Sequence, residues 1–212
     1  MKRIFLTSAF LSSCLLANSE ISTNYTYKDY ENSKTKTQGK TLDYRFLHNF
    51  ENSQITVNYE DSLTKRENEI TKAKLTSLEV EKLSMKYLYN ISEDLSFKTS
   101  FINIKDNLAP TDNGKIYGLG LSKSIDNSNE IKVDTYLSDY DDFNVNQYDL
   151  TFVKKFKFND INFMGQTGVK YIDINGSEYG NYTLKDNYYT SYFFNLNANY
   201  NGFIIGLGFM NG

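Results

Sequence analysis

The stretch Tyr192-Phe193-Phe194-Asn195-Leu196-Asn197-Ala198-Asn199-Tyr200-Asn201-Gly202-Phe203 decides the fold. Tyr192, Phe194, Leu196, Ala198 and Tyr200 fall on one side of a period of two. Phe193, Asn195, Asn197 and Asn199 fall on the other. That period belongs to a β-strand with two unlike faces, since successive side chains of extended backbone point in opposite directions. Asn201-Gly202 then supplies the strongest short hairpin signal, because both residues tolerate the positive φ of a tight primed turn. Phe203, Ile205, Leu207 and Phe209 resume the apolar side, so two strands share one apolar face.

Working outward, the alternation recurs along the chain. Leu42, Tyr44, Phe46, His48 and Phe50 alternate with Thr41, Asp43, Arg45, Leu47 and Asn49. Ile55, Val57 and Tyr59 alternate with Thr56, Asn58 and Glu60. Further runs of the same kind lie at 83–89, 95–101, 117–122, 131–135, 149–152 and 161–171. A first strand near Ile21 to Tyr27 brings the expectation to about eleven strands, each about long enough to cross a bilayer when tilted. Connections alternate in length. Glu51 to Ser53, Asn90 to Asp94, Asp126 to Asn129, Asn159-Asp160 and Asn201-Gly202 read as tight turns. Tyr30 to Lys40, Thr64 to Lys74, Asp106 to Gly114, Ser138 to Asn146 and Asn175 to Asn187 read as longer polar loops.

Aromatic residues mark both ends of the apolar runs. Phe50, Tyr89, Phe97, Phe163, Tyr200 and Phe203 lie beside short turns. Tyr27, Tyr59, Tyr117, Tyr171 and Tyr188 lie nearer the long loops. On these features residues 20–212 resemble the Gram-negative outer-membrane β-barrel proteins, the broad class of small barrels and porins. The resemblance rests on pattern and on no specific family motif. It implies an all-β, antiparallel up-and-down transmembrane barrel with 10–12 strands visible here and room for more in a longer protein. It also implies an outer-membrane location, lipid and the barrel-assembly machinery as partners, and an apolar face turned to lipid. The low mean hydropathy, −0.54, agrees with a chain in which only alternate residues face lipid. A soluble barrel of lipocalin type is the main architectural competitor and would hold the Tyr- and Phe-rich faces inside.

The start of the chain reads as an address. Met1-Lys2-Arg3 is basic, Ile4 to Leu16 is mostly apolar, and Ala17-Asn18-Ser19 offers small residues for a signal peptidase. Residues 1–19 are therefore expected to be a signal peptide and to lie outside the fold, with one barrel domain over 20–212. Leu11-Ser12-Ser13-Cys14 loosely resembles a lipobox, but Leu15 and Leu16 carry the apolar run past Cys14. Cys14 is the only cysteine. Cleavage after Ser19 leaves a mature chain without disulfides, thiolate chemistry or cysteine metal sites. Acidic residues exceed basic ones, 26 against 23, which argues against a nucleic-acid partner.

Four details resist the pattern. Eleven is odd, whereas single-chain bacterial barrels have even strand numbers. The class commonly ends on an aromatic residue, whereas Phe209 is followed by Met210-Asn211-Gly212, so further residues are expected beyond Gly212. Lys154 falls between Phe152 and Phe156 on the apolar face, where a midplane lysine costs roughly 2–4 kcal/mol; a bulge near Val153 would turn it inward. A phase slip also separates Leu78 and Val80 from Leu83 and Met85.

No residue set points to catalysis, a cofactor or a metal. His48, the only histidine, reads as an interfacial ring, since no nucleophile and orienting acceptor pair with it in the sequence. Asp139-Tyr140-Asp141-Asp142 lacks the ligand spacing and turn glycine of a calcium loop and reads as solvated. Asn175 to Tyr182 is rich in turn formers and reads as a mobile surface loop. The informative set is the one projected away from lipid: Asp43, Arg45, Glu60, Lys86, Lys98, Lys132, Asp134, Asp149 and Lys170. Gly118, Gly120, Gly168, Gly206 and Gly208 share that side and leave room. These charges either line a wet pore or pair across the interior and plug it. The expected function is thus a porin-like passive channel for small polar solutes. The alternative is a structural or surface-interaction barrel that works through its loops; a lipid-modifying enzyme is a third, resting on His48 alone.

Overall fold

A computed structural model describes residues 4–16, 18–30, 33, 35–107, 111–141, 143–176, 178–179, 182–183, 187–200 and 203–211, with backbone alone for 4–16, 178–179, 182–183 and 203–204. Its strands are β1 (Ile4–Leu16), β2 (Ser19–Tyr30), β3 (Lys36–Asn49), β4 (Ser53–Glu67), β5 (Lys74–Asn90), β6 (Leu95–Asp106), β7 (Lys115–Ser124), β8 (Asn129–Asp139), β9 (Asn144–Phe158), β10 (Ile161–Asn175), β11 (Glu178–Tyr179), β12 (Tyr182–Thr183), β13 (Tyr188–Tyr200) and β14 (Phe203–Asn211). The described chain is all-β. Twelve strands form one sheet in chain order, and β11–β12 is a small separate hairpin between β10 and β13. Counted from β2, the up-and-down antiparallel sheet has the eleven strands that the alternation predicts.

One part of the sheet comprises residues up to Tyr87 with Phe101–Lys115. Here β2 and β3 pair from Ser19–His48 to Asp29–Gln38, and β3 and β4 from Asn49–Gln54 upward. The β3–β4 turn closes when Phe50 N–H donates to Ser53 O at 2.7 Å. One face carries Ile21, Phe46 and Val57 side by side and Tyr44 beside Tyr59, the two rings 6.4 Å apart. Cross-strand pairs of this kind contribute about 0.2–1 kcal/mol each. The opposite face carries Ser22 beside Arg45 and Asp43 beside Glu60.

Ile4–Leu16, which reads as an exported leader, is the edge strand β1 in the full-length chain, paired with β2 from Ile4–Tyr30 to Leu16–Ser19 with one shift between Phe10 and Ser12. An uncharged run rich in β-forming residues meets the otherwise unpaired main-chain groups of β2, and pairing satisfies both.

β5 is one continuous strand, and the phase slip between Leu78 and Val80 and Leu83 and Met85 lies in its residues. Val80, Lys82 and Ser84 are partly covered while Glu79, Glu81, Leu83 and Met85 are exposed. The apolar pattern changes sides; the backbone does not.

The other part comprises Leu88–Ser100 with Ile116–Gly212. β9 and β10 pair over fifteen residues from Ile161–Phe158 to Asn175–Asn144 with no shift, and β8–β9 is equally regular. Lys154 is therefore not turned inward by a bulge; it stays on the exposed apolar face. Its neighbours explain why that is tolerable. Asn129, which opens β8 immediately after the 125–128 turn, lies opposite it, and Gly165 lies on its other side. The next residue's N–H donates to Ser128 O at 2.7 Å. Lys154 thus sits level with the β7–β8 turn, while Phe156 and Phe158 continue the exposed apolar face beyond it on β9.

Strands overrun the expected loops. β2 and β3 leave only 31–35 between them, β4 and β5 only 68–73, and β8 and β9 only 140–143. The length contrast persists at 107–114 and 176–187 against the tight turns at 50–52 and 159–160. The 201–202 hairpin turn lies outside the described residues, but Tyr200 pairs with Phe203 across it. Of the Asn175 to Tyr182 loop, residues 177, 180 and 181 lie outside the description, as does Asp142 of the acidic stretch. Tyr140 and Phe143 stack at 4.7 Å beside that position.

The two faces of the sheet differ in exposure, and the apolar one is the more exposed. Among the described residues the buried apolar side chains are Leu47, Ile104 and Val153 alone. Leu119, Leu121, Leu150, Phe156 and Phe194 are exposed, Leu119 and Leu121 to 51 % each. The apolar face ends sharply toward the longer connections. Two residues past Tyr27 comes Asp29, past Tyr59 Asp61, past Leu137 Asp139 and past Tyr171 Asp173; before Leu83 comes Glu81. Aromatic or aliphatic side chains give way to charge on β2, β4, β5, β8 and β10.

Candidate functional site: the polar face

The polar face of β2–β5 is built in two rows by the register. Asn24, Asp43 and Glu60 are consecutive cross-strand partners, and Ser22, Arg45 and Asn58 form the next row. Like charges placed directly opposite repel, so Asp43 and Glu60 need partners from outside the pair. Lys82 Nζ lies 3.1 Å from Glu60 Oε1, and Ser62 Oγ donates to that same oxygen at 3.1 Å. Asp43 receives a 3.4 Å hydrogen bond from Asn24 Nδ2. Asn58 Nδ2 donates to Ser84 Oγ at 3.4 Å. Among the described residues Arg45 has no carboxylate within ion-pair distance. These groups, with Glu20, Ser22 and Ile102, surround a cavity of about 470 Å³. Asn24 Oδ1 and Asn58 Oδ1 are buried at it without a hydrogen-bond partner; an unpaired buried acceptor costs about 1–3 kcal/mol. Lys86 follows Ser84 by two residues on β5.

A second constellation lies on β6–β10. Lys98 Nζ is 2.5 Å from Asp134 Oδ1 and donates to Tyr136 Oη at 3.4 Å. Asp134 and Asp149 are cross-strand partners, as are Asp149 and Lys170. Lys170 Nζ approaches Asp149 Oδ2 at 3.9 Å, and Gln147 Nε2 donates to both Asp149 oxygens at 3.0 and 2.9 Å. The result is a row of alternating compensation, cation, two adjacent carboxylates, cation. Lys132 pairs with Glu130 at 3.4 Å, and Lys155 joins Glu130 at 3.7 Å.

Of the nine residues expected on this face, Asp43, Arg45 and Glu60 lie in the first constellation and Lys98, Lys132, Asp134, Asp149 and Lys170 in the second, while Lys86 is exposed on β5 outside both. Three participants were not legible in sequence. Lys82 was hidden by the phase slip in β5. Glu130 lies at the start of β8, and Lys155 follows Lys154 in β9, so neither carries a mark of its own that tells it from a solvated charge. The glycines need a correction. A Cβ at Gly118 would strike Ser100 Oγ and come within 2.9 Å of the Tyr136 ring; one at Gly120 would strike Asp134 and approach Lys98 Cε at 2.9 Å. At Gly168 it would strike Leu150 O and approach the Phe193 ring at 2.7 Å. The room these residues leave is taken by neighbouring side chains. Gly206 and Gly208 meet only the Asn197 and Asn195 amides among their close neighbours.

His48 has a partner that the sequence did not show. Ser19, its cross-strand neighbour, places Oγ 2.6 Å from His48 Nδ1. The ring stacks on Phe46 at 6.5 Å and meets Phe50 edge-on at 4.4 Å. Among the described residues no acceptor orients the other ring nitrogen. Turn carboxylates are held charged. Hydrogen bonds from the Asn129 side chain and the Ser128 N–H lower the Asp126 pKa, and Ser92 Oγ with Lys123 does the same for Asp94. Among the described residues no group of side chains is placed to hold a metal ion. No helix is long and apolar enough to cross a membrane. No protein-family model matches the chain, and no curated protein sequence matches it.

Proposed function

We propose that the sheet closes into a β-barrel in a Gram-negative outer membrane, after export directed by residues 1–19 and their removal. Its polar face lines a lumen that passes small polar solutes passively, without a catalytic step. The observation that carries this reading is the pairing of faces. An exposed apolar face, bounded by aromatic rings and then by charge, backs onto a face bearing charges of both signs. Lipid satisfies the first and water the second. Partners on this reading are outer-membrane lipid and the machinery that assembles barrels. Purified protein added to planar bilayers is expected to give discrete conductance steps; their absence would remove the pore.

A second reading has an observation of its own. Gly118, Gly120 and Gly168 are filled over by neighbours, and Lys98–Asp134 and Asp149–Lys170 compensate each other. A lumen filled in this way is plugged, and the barrel then acts through its longer connections. Trimming 175–187 in a non-conducting barrel would abolish surface binding on this reading and leave it unchanged otherwise.

A further inference from the structure

Arg45 and Asp43 are neighbours on one face of β3, two residues apart, or about 6.6 Å of extended chain. Among the described residues neither makes an ion pair of its own. Glu60 is taken by Lys82 at 3.1 Å, and Asp43 is met by the neutral Asn24 amide at 3.4 Å. Arg45 lies opposite Ser22 on one side and Asn58 on the other, neither of them charged. A cation and an anion thus stand at a fixed separation in a cavity of about 470 Å³, edged by the Ser22 and Ser84 hydroxyls. Glu20, on the same wall, makes the pocket slightly acidic, which disfavours a solute that is only anionic.

We infer that this pocket takes small zwitterions of the α-amino-acid type, the carboxylate on the Arg45 guanidinium and the ammonium on Asp43. The fork of a guanidinium matches a carboxylate with two parallel hydrogen bonds, and a carboxylate accepts from an ammonium with the same charge assistance. A neutral solute of equal size gains neither contact. A simple cation gains only Asp43 and is repelled by Arg45. The inference deepens the pore reading, since it names the solute class favoured on the polar face, and it rests on that face being wet.

The test compares L-alanine with lactamide, an uncharged molecule of nearly the same size and shape. In swelling assays with protein-loaded liposomes, L-alanine is expected to enter several times faster than lactamide. Arg45→Gln and Asp43→Asn are each expected to bring the ratio of L-alanine to lactamide entry down to about one. A second readout does not need transport: broadening of the L-alanine methyl resonance by protein in micelles, weakened roughly tenfold in apparent affinity by Arg45→Gln, the loss of one charge-assisted contact. Should either variant fail to fold, the wild-type contrast between the two solutes still decides. Equal entry of both solutes with no broadening overturns the inference and leaves the pore standing. Broadening without entry of either solute keeps the site and removes the pore.

Discussion

Lys98 of β6 reaches across β7 to bring Nζ within 2.5 Å of Asp134 Oδ1 on β8, and it crosses at Gly120. Both side chains are largely covered, 22 % and 14 % exposed. A residue with any Cβ at position 120 would occupy the path of this ion pair. Gly120→Val is therefore expected to destabilise the protein by about 1–3 kcal/mol, the range for overpacking a filled site. Gly165 is the control: the nearest atom to a Cβ there is the Lys154 carbonyl at 3.9 Å. Gly165→Ala is expected to stay within about 0.5 kcal/mol of wild type. Urea unfolding in detergent, followed by heat-modifiable migration on gels, reads both. Equal effects at the two glycines would contradict the bridge.

Lys154 and Phe152 share the apolar face of β9 but differ in height. Lys154 lies opposite Asn129 at the β8 start, whereas Phe152 lies opposite Ile131, one step further in. Lys154→Leu is expected to change stability by less than about 1 kcal/mol, because a lysine level with the β7–β8 turn reaches polar surroundings along its stem. Leu150→Lys, two steps further from that turn, is expected to cost roughly 2–4 kcal/mol. Reversible folding into lipid vesicles measures both. A large gain from Lys154→Leu would place that lysine in the middle of the band instead.

Much of this was legible in the residues, for a reason visible in β13. Its outward Tyr192, Phe194, Leu196 and Ala198 are apolar because of what they face, so the period of two survives in the letters. Strand ends are not marked in this way. β4 continues through Lys65 and Arg66 because main-chain pairing needs no apolar side chain. The same silence hid Lys82, whose face could be assigned only by counting through Glu79 and Glu81 without a break. The Ser19–His48 contact depends on the β2–β3 register, which no local pattern encodes. Residues such as Asp43 and Asp149 were legible because alternation alone assigns their face; their partners were not, because pairing depends on which strands adjoin.

Asp126 organises the β7–β8 turn by accepting from the Ser128 and Asn129 N–H groups at 2.7 and 2.8 Å. The Asn129 side chain is the largest cause of its lowered pKa, and the backbone bonds add to it. A carboxylate lowered in the folded state contributes stability above its unfolded pKa and loses it as pH falls through the folded value. The turn is thus expected to hold through the ordinary carboxylate range and to loosen only below it. A carboxyl-carbon NMR titration reads this directly, and Asp126→Asn should remove the acid-dependent change at Ser128 and Asn129. Titration of Asp126 at the ordinary carboxylate value would contradict the network.

The β1 segment pairs with β2, yet it carries the features of an exported leader. Export from a Gram-negative host is expected to yield a membrane-fraction protein whose intact mass begins at Glu20. Ser19 then departs and His48 keeps only its contacts with Phe46 and Phe50. A mass that retains Ile4–Leu16 would contradict removal of the leader and make β1 a permanent strand.

The central claim is that one face of the sheet meets lipid and the other meets water. Leu150 and Thr151 are adjacent on β9 and point to opposite faces; Leu150 is 50 % exposed and Thr151 is partly covered. With residues 1–19 removed as proposed, Cys14 is gone and no other cysteine interferes. Single variants Leu150→Cys and Thr151→Cys, reconstituted in lipid vesicles, should be exposed to a water-soluble, membrane-impermeant maleimide. The account expects label at position 151 and none at position 150. Label at 150 with none at 151 would place the apolar face in water and contradict it.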